Sequence, residues 1–236
     1  MYILIMEKIN YINNIIKNCD AINSLQLVSE IKTEKIVFST SLGYEDQVIT
    51  DIIFNNNLNI SVFTLDTGRL FPETYSLLSA TNLKYKKNIQ VYFPNTNLVE
   101  EFTSKKGINS FYESIDNRKE CCHIRKIEPL KRALKEYTIW VTGIRAQQSG
   151  NRNNMPILEW DETNNILKFH PLINWSLEDV ENYIHKNNVP FNPLHTKGFV
   201  SIGCQPCTRA IKEGEDFRAG RWWWEDATKK ECGLHN

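Results

Sequence analysis

Two pairs of cysteines form the most specific reactive pattern in the sequence. Cys121 and Cys122 are adjacent, and Cys204 and Cys207 follow later with a C-x2-C spacing. Neighbouring side chains tend to point apart, so the adjacent pair is a poor half of one tetrahedral zinc site. In a [4Fe–4S] cluster each thiolate binds a different iron. The pattern therefore favours such a cluster, with a zinc site and unligated thiols as the alternatives.

A further cysteine lies in the last segment of the sequence, KKECGLHN. Chain termini fray unless something holds them, so Cys232 is poorly placed for core packing. We expect it to be a mobile nucleophile that acts as a thiolate, helped by nearby cations. Lys229, Lys230 and His235 are close in sequence. Cys19, near the end of a predicted amphipathic helix, is expected to fill space in the core.

The segment VFSTSLGYEDQVI has the pattern of a strand, a polar turn and a helix. Hydroxyl groups of Ser39, Thr40 and Ser41, with unobstructed backbone at Gly43, follow the strand. Ligands bind at the carboxyl edge of open α/β sheets, and helix N-termini attract phosphate. The Gly-Lys-Ser/Thr ending of a Walker A loop is missing, so a γ-phosphate would not be held in the usual way. An ordinary strand-to-helix turn is the alternative.

Charged residues accompany these motifs. Asp66 and Arg69 follow the next predicted strand, in TLDTGRLFPETY. We expect the carboxylate to bind a ribose or to help position the loops at this edge. The alternative is that the two residues form a cap and a salt bridge. Other basic residues near the cysteines and the glycine-bearing turns suit a phosphate or sulfate, for which arginine offers a planar fork. These candidates are Arg125, Lys126, Arg145, Arg218 and Arg221. For the tryptophan run 222–224, packing is favoured over base stacking or partner docking.

The composition gives no global bias toward a polyanionic partner. The 236 residues contain 28 Lys and Arg and 28 Asp and Glu, and 41% are hydrophobic. We therefore expect neither nucleic acid nor a membrane as a partner. The sequence shows no signal-peptide pattern and no apolar run long enough to span a bilayer. It predicts a cytoplasmic protein, in which cysteines serve metal binding or catalysis rather than disulfides.

Apolar periodicity predicts an amphipathic helix over 5–19, and then strands alternating with helices up to about residue 145, one of the helices lying around 123–136. A hairpin around 162–165 and a helix beginning near Ser176 follow. The predicted fold class is α/β, a mostly parallel sheet with helices on both faces. We predict a single domain, 1–236, in three parts. They are a helical N-terminal region (about 1–34), an α/β nucleotide-binding core (about 35–188) and an irregular C-terminal segment (about 189–236).

A resemblance to a known family is carried by seven segments, STSLGYED, LDTGRLFPETY, ECCHIRKIEPL, VTGIRAQQS, GCQPCTRA, RAGRWWWE and KKECGLH. Together they resemble the assimilatory adenylyl-sulfate reductases, the iron–sulfur branch of the family that reduces adenylyl-sulfate or its 3′-phosphorylated form. The resemblance extends over about residues 35–235 and implies an adenine-nucleotide α-hydrolase-like fold. The branch for the 3′-phosphorylated substrate typically lacks both cysteine pairs. The implied substrate is therefore adenylyl-sulfate, and the implied cofactor is one [4Fe–4S] cluster on the four paired cysteines.

The resemblance also implies roles for single residues. Cys232, in the E-C-G-L-H motif, matches the family's nucleophile, and the basic substrate contacts match Lys126, Arg145, Arg218, Arg221 and His235. Two positions depart from a simple match. Tyr44 stands where the family usually has a small residue, and Arg152 is a rival to Arg145.

The implied reaction begins with attack of the Cys232 thiolate on the sulfur of adenylyl-sulfate, which expels AMP and leaves an S-sulfocysteine. Thioredoxin or a glutaredoxin-like dithiol then releases sulfite, in assimilatory sulfate reduction leading to cysteine. Whether the chain forms a homo-oligomer is left open. Three alternatives remain: a reductase of the 3′-phosphorylated substrate, an ATP-dependent adenylating or thiolating enzyme, and a non-catalytic metal or iron–sulfur sensor. The second would need an S-G-G-x-D-S type loop, and the third leaves the tail and the arginines unexplained.

Overall fold

The computed structural model of the protein describes residues 2–148 and 155–225. Its strands are β1 (Ile36–Thr40), β2 (Ser61–Leu65), β3 (Gln90–Tyr92), β4 (Ile139–Val141), β5 (Leu158–Asp161) and β6 (Ile166–Phe169). They form one sheet in the order β3-β2-β1-β4-β6-β5. Every neighbouring pair is parallel except β5 and β6, which form the predicted hairpin. The mostly parallel α/β class is confirmed.

The helices are α1 (Tyr2–Ile15), α2 (Ala21–Ser29), α3 (Tyr44–Asn55), α4 (Pro72–Tyr85), α5 (Thr96–Lys106), α6 (Ile115–Cys122), α7 (Glu128–Leu134) and α8 (Leu177–Lys186). Apolar side chains of α1, α2, α3, α4 and α8 share one core with one face of the sheet. Those of α7 pack with Val37, Phe63 and Trp140 in a second cluster. Helices therefore cover both faces, as predicted.

Local signals in the sequence explain several boundaries. Pro72 begins α4, where its missing N–H costs no hydrogen bond. Ser176 and Asp179 form a capping box at the start of α8. Near the N-terminus, a single helix was predicted over 5–19, and its predicted end is wrong. The helix α1 stops at Ile15, and Asp20 caps a separate helix by accepting a hydrogen bond from the backbone N–H of Asn23.

The cysteine-bearing helix begins earlier than the sequence predicted. A helix was expected over about 123–136, but α6 already starts after Ser114, whose hydroxyl accepts the N–H of Asn117. A π-helical turn, His123–Ile127, then joins it to α7. Pro129 lacks an N–H, and its ring clashes with the carbonyl one turn back, which favours a widened turn there. Cys121 and Cys122 consequently occupy the last turn of α6.

The described part of the C-terminal segment has little regular structure, as predicted. Short 3-10 turns cover His195–Lys197 and Gln205–Cys207, and one antiparallel bridge joins Thr208 to Arg221. The segment returns to the carboxyl edge of β2, where the N–H of Gln205 donates to the carbonyl of Arg69. Among the residues described, no helix is both long and apolar enough to cross a membrane.

Candidate active site

A cavity of about 270 Å³ opens at the carboxyl ends of β1, β2 and β4. The hydroxyl-bearing turn after β1 forms one side, and all four residues predicted there line it: Ser39, Thr40, Ser41 and Gly43. Thr64, Thr67 and Thr142, at or after the ends of β2 and β4, add further hydroxyls. The C-terminal segment closes the other side through residues 200–204. The cavity therefore lies at the sheet edge where ligands bind in open α/β folds.

The turn after β1 is built around the carboxylate of Asp46. Its Oδ2 accepts hydrogen bonds from the backbone N–H and the hydroxyl of Ser41, at 2.5 and 2.7 Å. The loop after β4 closes against the same carboxylate. A Cβ at Gly143 would lie 2.1 Å from Asp46 Oδ1, so only glycine fits there. Burial raises the pKa of Asp46 to about 7, although the Ser41 hydrogen bonds oppose the rise.

Three cations predicted to bind an anion line the far side of the cavity: Lys126, Arg218 and Arg221. The guanidinium of Arg221 lies against Gly203, where a Cβ would meet Nη2 at 2.3 Å. Arg221 and Arg218 also lie over the ring of Trp222, at 4.9 and 5.9 Å from its centroid. Trp222 is 1% exposed, which confirms that this tryptophan packs. Its ring supports the cationic wall.

The four paired cysteines line a second, smaller cavity of about 20 Å³. Cys121 and Cys122 come from the end of α6, and Cys204 and Cys207 from the C-terminal segment. Cys204 and Lys126 line both cavities, so the two share a wall. Residues far apart in sequence thus meet in one place beside the anion-binding side of the larger cavity.

The thiols have an environment that disfavours their ionisation in the absence of a cation. Burial raises the pKa of Cys207 to about 12, and the neighbouring Cys204 and Cys122 raise it further. Burial also raises the pKa of Cys121, while Arg125 and Arg69 act in the opposite direction. A coordinated metal deprotonates such thiols and compensates their charge.

The possible metal donors at this cavity are the four cysteine thiols. Across residues 2–148 and 155–225, no group of three or more His, Cys, Asp or Glu side chains could hold one metal ion. All four cysteines nevertheless line the same cavity, and they pack in one cluster with Phe111 and Trp222. A [4Fe–4S] cluster needs no common ligand centre, because each thiolate binds its own iron.

Three predicted substrate ligands lie outside the lining of the larger cavity. Arg69 belongs to the cysteine cavity and donates to the carbonyl of Ile108 at 2.8 Å. Asp66 accepts from the N–H of Gly68 at 2.7 Å and from the hydroxyl of Tyr75 at 2.8 Å. These contacts order the loop after β2, and they are not the helix cap that was the alternative for Asp66, because Phe71 is the N-cap of α4. Direct substrate contacts by these side chains stay predictions.

Arg145 is the third of these. It is 2% exposed, and its Nε donates to Glu45 at 2.8 Å. Glu45 itself lines the cavity, so Arg145 reaches the site through that carboxylate. Cys232 and His235, predicted as nucleophile and substrate ligand, lie outside the described residues. So does Arg152, the rival of Arg145.

Trp140, which lines the larger cavity, was not predicted from the sequence as a site residue. Arg125 was among the basic residues predicted near the cysteines. It is buried, and its guanidinium donates to the carbonyl of Thr67 at 2.7 Å. The unusual Tyr44 stacks on the ring of His195, with centroids 3.9 Å apart. A small residue at 44 would not make this contact, which links the turn after β1 to the C-terminal segment.

Comparisons with known proteins agree with this geometry. An adenosine 5'-phosphosulfate reductase from Allochromatium vinosum is 49% identical over 214 residues, which cover 90% of this chain and 84% of the relative. One from Neisseria meningitidis is 50% identical over 199 residues, covering 84% and 82%.

Solved structures show the same fold. A phosphoadenylyl-sulfate reductase from Candida auris, a phosphate complex, superposes with a TM-score of 0.71 at 30% identity, covering 87% of this chain and 97% of that one. An FMN adenylyltransferase from Candida glabrata reaches a TM-score of 0.52 at 18% identity over 83% of this chain and 67% of its own, a likeness of fold alone. Residues 35–210 match the phosphoadenosine phosphosulfate reductase domain. The chain therefore belongs to the phosphoadenosine phosphosulfate reductase family.

Proposed function

We propose that this protein reduces adenylyl-sulfate, also called adenosine 5'-phosphosulfate, to sulfite and AMP in assimilatory sulfate reduction. The observation that carries the proposal is the shared wall between the two cavities. A nucleotide-sized cavity has hydroxyls on one side and three cations on the other, and four cysteines adjoin the cationic side. Relatives that are 46–50% identical and bear the name of this activity support the same substrate.

The two sides of the larger cavity suit the two ends of the substrate. The nucleoside would lie against the turn that carries Ser39 and Ser41, and the phosphosulfate would extend toward Lys126, Arg218 and Arg221. These cations would neutralise negative charge as the bond between sulfur and the phosphate oxygen breaks. Water would be displaced from the cavity on binding, which strengthens each of these interactions.

The proposed nucleophile is Cys232. Its thiolate attacks the sulfur of adenylyl-sulfate, a sulfur–sulfur bond forms, and AMP leaves with the bridging oxygen. A dithiol of the thioredoxin or glutaredoxin type then attacks Sγ of the S-sulfocysteine and displaces sulfite. Its second thiol regenerates Cys232 and leaves the partner as a disulfide, so both electrons come from the dithiol. His235 would add a further substrate contact, and we propose a cytoplasmic location.

We further propose that Cys121, Cys122, Cys204 and Cys207 hold one [4Fe–4S] cluster. Three of these thiols are buried and Cys121 is partly buried around one cavity. Burial raises the pKa of Cys207 and of Cys121, and a metal would favour their thiolates, which supports this assignment. A bound cluster would supply structural support and an electrostatic influence next to the side of the larger cavity that carries Lys126, Arg218 and Arg221. The three proposed regions are 1–34, 35–188 and 189–236. Because the second region carries Cys121 and Cys122 and the third carries Cys204 and Cys207, a shared cluster would join the C-terminal segment to the nucleotide-binding core.

The test is sulfite production from adenylyl-sulfate with thioredoxin, using protein purified without oxygen and analysed for iron, sulfide and zinc. We expect about four irons and four sulfides per chain. Cys232→Ser should lose sulfite production by a factor of about 10³ or more while keeping its iron, because only the nucleophile is removed. Cys19→Ser is the matched control and should keep full activity. Sulfite production by Cys232→Ser at the wild-type rate would refute the proposed mechanism.

Reduction of the 3′-phosphorylated substrate is the second candidate, supported by the structural likeness to the Candida auris enzyme. The relatives of higher identity bear the name of the unphosphorylated substrate, so the first candidate is favoured. Rates with both substrates, measured side by side at equal concentration, separate the two.

A further inference from the structure

A row of buried side chains crosses four neighbouring strands and ends at the larger cavity. It runs from Asp161 on β5 through Lys168 on β6 and Trp140 on β4 to Ser39 on β1. Lys168 and Trp140 are register partners in parallel strands, so their side chains leave the same face of the sheet. The cavity-lining end of this row is Ser39.

Each member of the row contacts the next. Lys168 Nζ lies 3.0 Å from Asp161 Oδ2, with both side chains 2% exposed. The same ammonium lies 5.5 Å from the ring centroid of Trp140. The indole Nε1–H of Trp140 then donates to Ser39 Oγ at 2.8 Å. A cation over the ring polarises the indole and makes its N–H a stronger donor.

These contacts fix the direction of the Ser39 hydroxyl. An indole nitrogen is a donor only, so Ser39 Oγ must accept from Trp140. Within the described part of the chain, this is the one hydrogen bond that the Ser39 side chain makes. Its own proton therefore has no acceptor there, although the side chain borders the cavity. The Ser39 hydroxyl can therefore donate its proton to an acceptor atom of a ligand in the cavity.

We propose that Ser39 donates its hydroxyl proton to an acceptor atom of the bound adenine nucleotide, and that Trp140 is the positioning residue that imposes this direction. The inference rests on the proposed function, because it takes the nucleotide of adenylyl-sulfate as the ligand. The acceptor is a ring nitrogen or an oxygen of the nucleotide. Asp161 holds Lys168 in place through their ion pair, and Lys168 in turn lies over the indole and polarises it.

The experiment measures AMP binding by calorimetry in the intact, anaerobically purified protein. Trp140→Phe keeps an aromatic ring but removes the N–H, and Ser39→Ala removes the hydroxyl. Each substitution should raise the dissociation constant of AMP about threefold to tenfold, which is the effect of losing one neutral hydrogen bond. The double variant should bind no more weakly than Ser39→Ala, because the indole N–H that Phe lacks acts only through Ser39, while the ring is kept. Trp160→Phe, on β5 and packed in the opposite core, is the control and should stay within about twofold.

Two results would overturn the inference alone. One is AMP binding by Trp140→Phe that equals the wild type, and the other is additive weakening in the double variant. If the wild type binds neither AMP nor adenylyl-sulfate, the proposed function is overturned, and the inference with it.

A second measurement covers the case in which Trp140→Phe does not fold. In protein labelled with ¹⁵N at the indoles, the Trp140 resonance, assigned by substituting the other tryptophans, should move in Ser39→Ala. AMP should move it further in the wild type than in Ser39→Ala, because only the wild type has the Ser39 hydroxyl that links the indole N–H to the nucleotide. A Trp140 resonance that responds to neither change would contradict the proposed hydrogen bond and the role built on it.

Discussion

At the scale of single residues, Asp46 shows how a charged side chain is confined by the turn that it organises. The carboxylate is buried, accepts from Ser41 and lies against Gly143. Its pKa rises from 3.8 to about 7, so the folded protein binds a proton that the unfolded chain has already released. The stability that this proton confers is fully present below pH 3.8 and is lost as the pH rises through about 7.

Asp46→Asn should remove this pH dependence, because the amide stays neutral in both states. We expect the wild type to lose on the order of 3 kcal/mol relative to the variant between pH 4 and pH 8. Thermal unfolding midpoints across that range measure the difference. Asp116→Asn is the control, an exposed carboxylate in the first turn of α6. Parallel pH profiles for the wild type and Asp46→Asn would show that the pKa of Asp46 is not raised.

At the scale of elements, the start of α8 is fixed by local hydrogen bonds. The hydroxyl of Ser176 accepts the N–H of Asp179 at 3.0 Å, and the Asp179 carboxylate accepts the N–H of Ser176 at 2.8 Å. The helix then buries Val180 and Ile184 against the core shared with α3. A local motif thus sets where the helix begins, and the apolar side chains set which face packs.

Ser176→Ala should lower the free energy of unfolding by about 1 kcal/mol, since one N–H at the helix start loses its partner. Urea unfolding followed by circular dichroism measures the change. Ser104→Ala makes the same substitution at an exposed position inside α5 and should change stability by less than about 0.5 kcal/mol. Equal losses in both variants would mean that the capping box contributes nothing specific.

At the scale of the whole molecule, one buried ion pair attaches the end of the described C-terminal segment to the cysteine helix. Arg118 donates to both carboxylate oxygens of Glu225, at 2.9 and 2.7 Å, with side-chain exposures of 0% and 4%. The guanidinium also lies 4.7 Å from the ring centroid of Trp222. The contact holds the segment with Cys204 and Cys207 beside the helix with the other two cysteines.

Arg118→Met should destabilise the protein by about 3 kcal/mol, because it leaves the Glu225 carboxylate buried without this partner. The urea midpoint, measured without oxygen, reports the loss, and iron content should fall with it. Arg209→Met is the matched control. Its ion pair with Glu215 is more exposed, at 35% and 30%, and should contribute less than about 1 kcal/mol. A loss for Arg118→Met no larger than the control's would show that the buried pair does not anchor the segment.

The sequence by itself determined the features that depend on short-range patterns. Apolar periodicity gave the parallel sheet and the hairpin, Pro72 and Ser176 marked helix starts, and the polar turn from Ser39 to Gly43 was correctly expected at the sheet edge. The motifs also sufficed to predict the family. Such signals are readable because hydrogen bonding within a few residues and the repeat of apolar side chains fix local structure.

Only the tertiary structure decided which side chains share a cavity. It brought the two cysteine pairs together. It also directed Arg69 to a partner outside the larger cavity, and Arg145 to Glu45, which lines that cavity. It also joined Trp140 to Ser39 and Arg118 to Glu225, pairs that no spacing rule connects. These contacts depend on strand order and on the return path of an irregular segment. Both are set by packing between distant parts of the chain, which local periodicity does not encode.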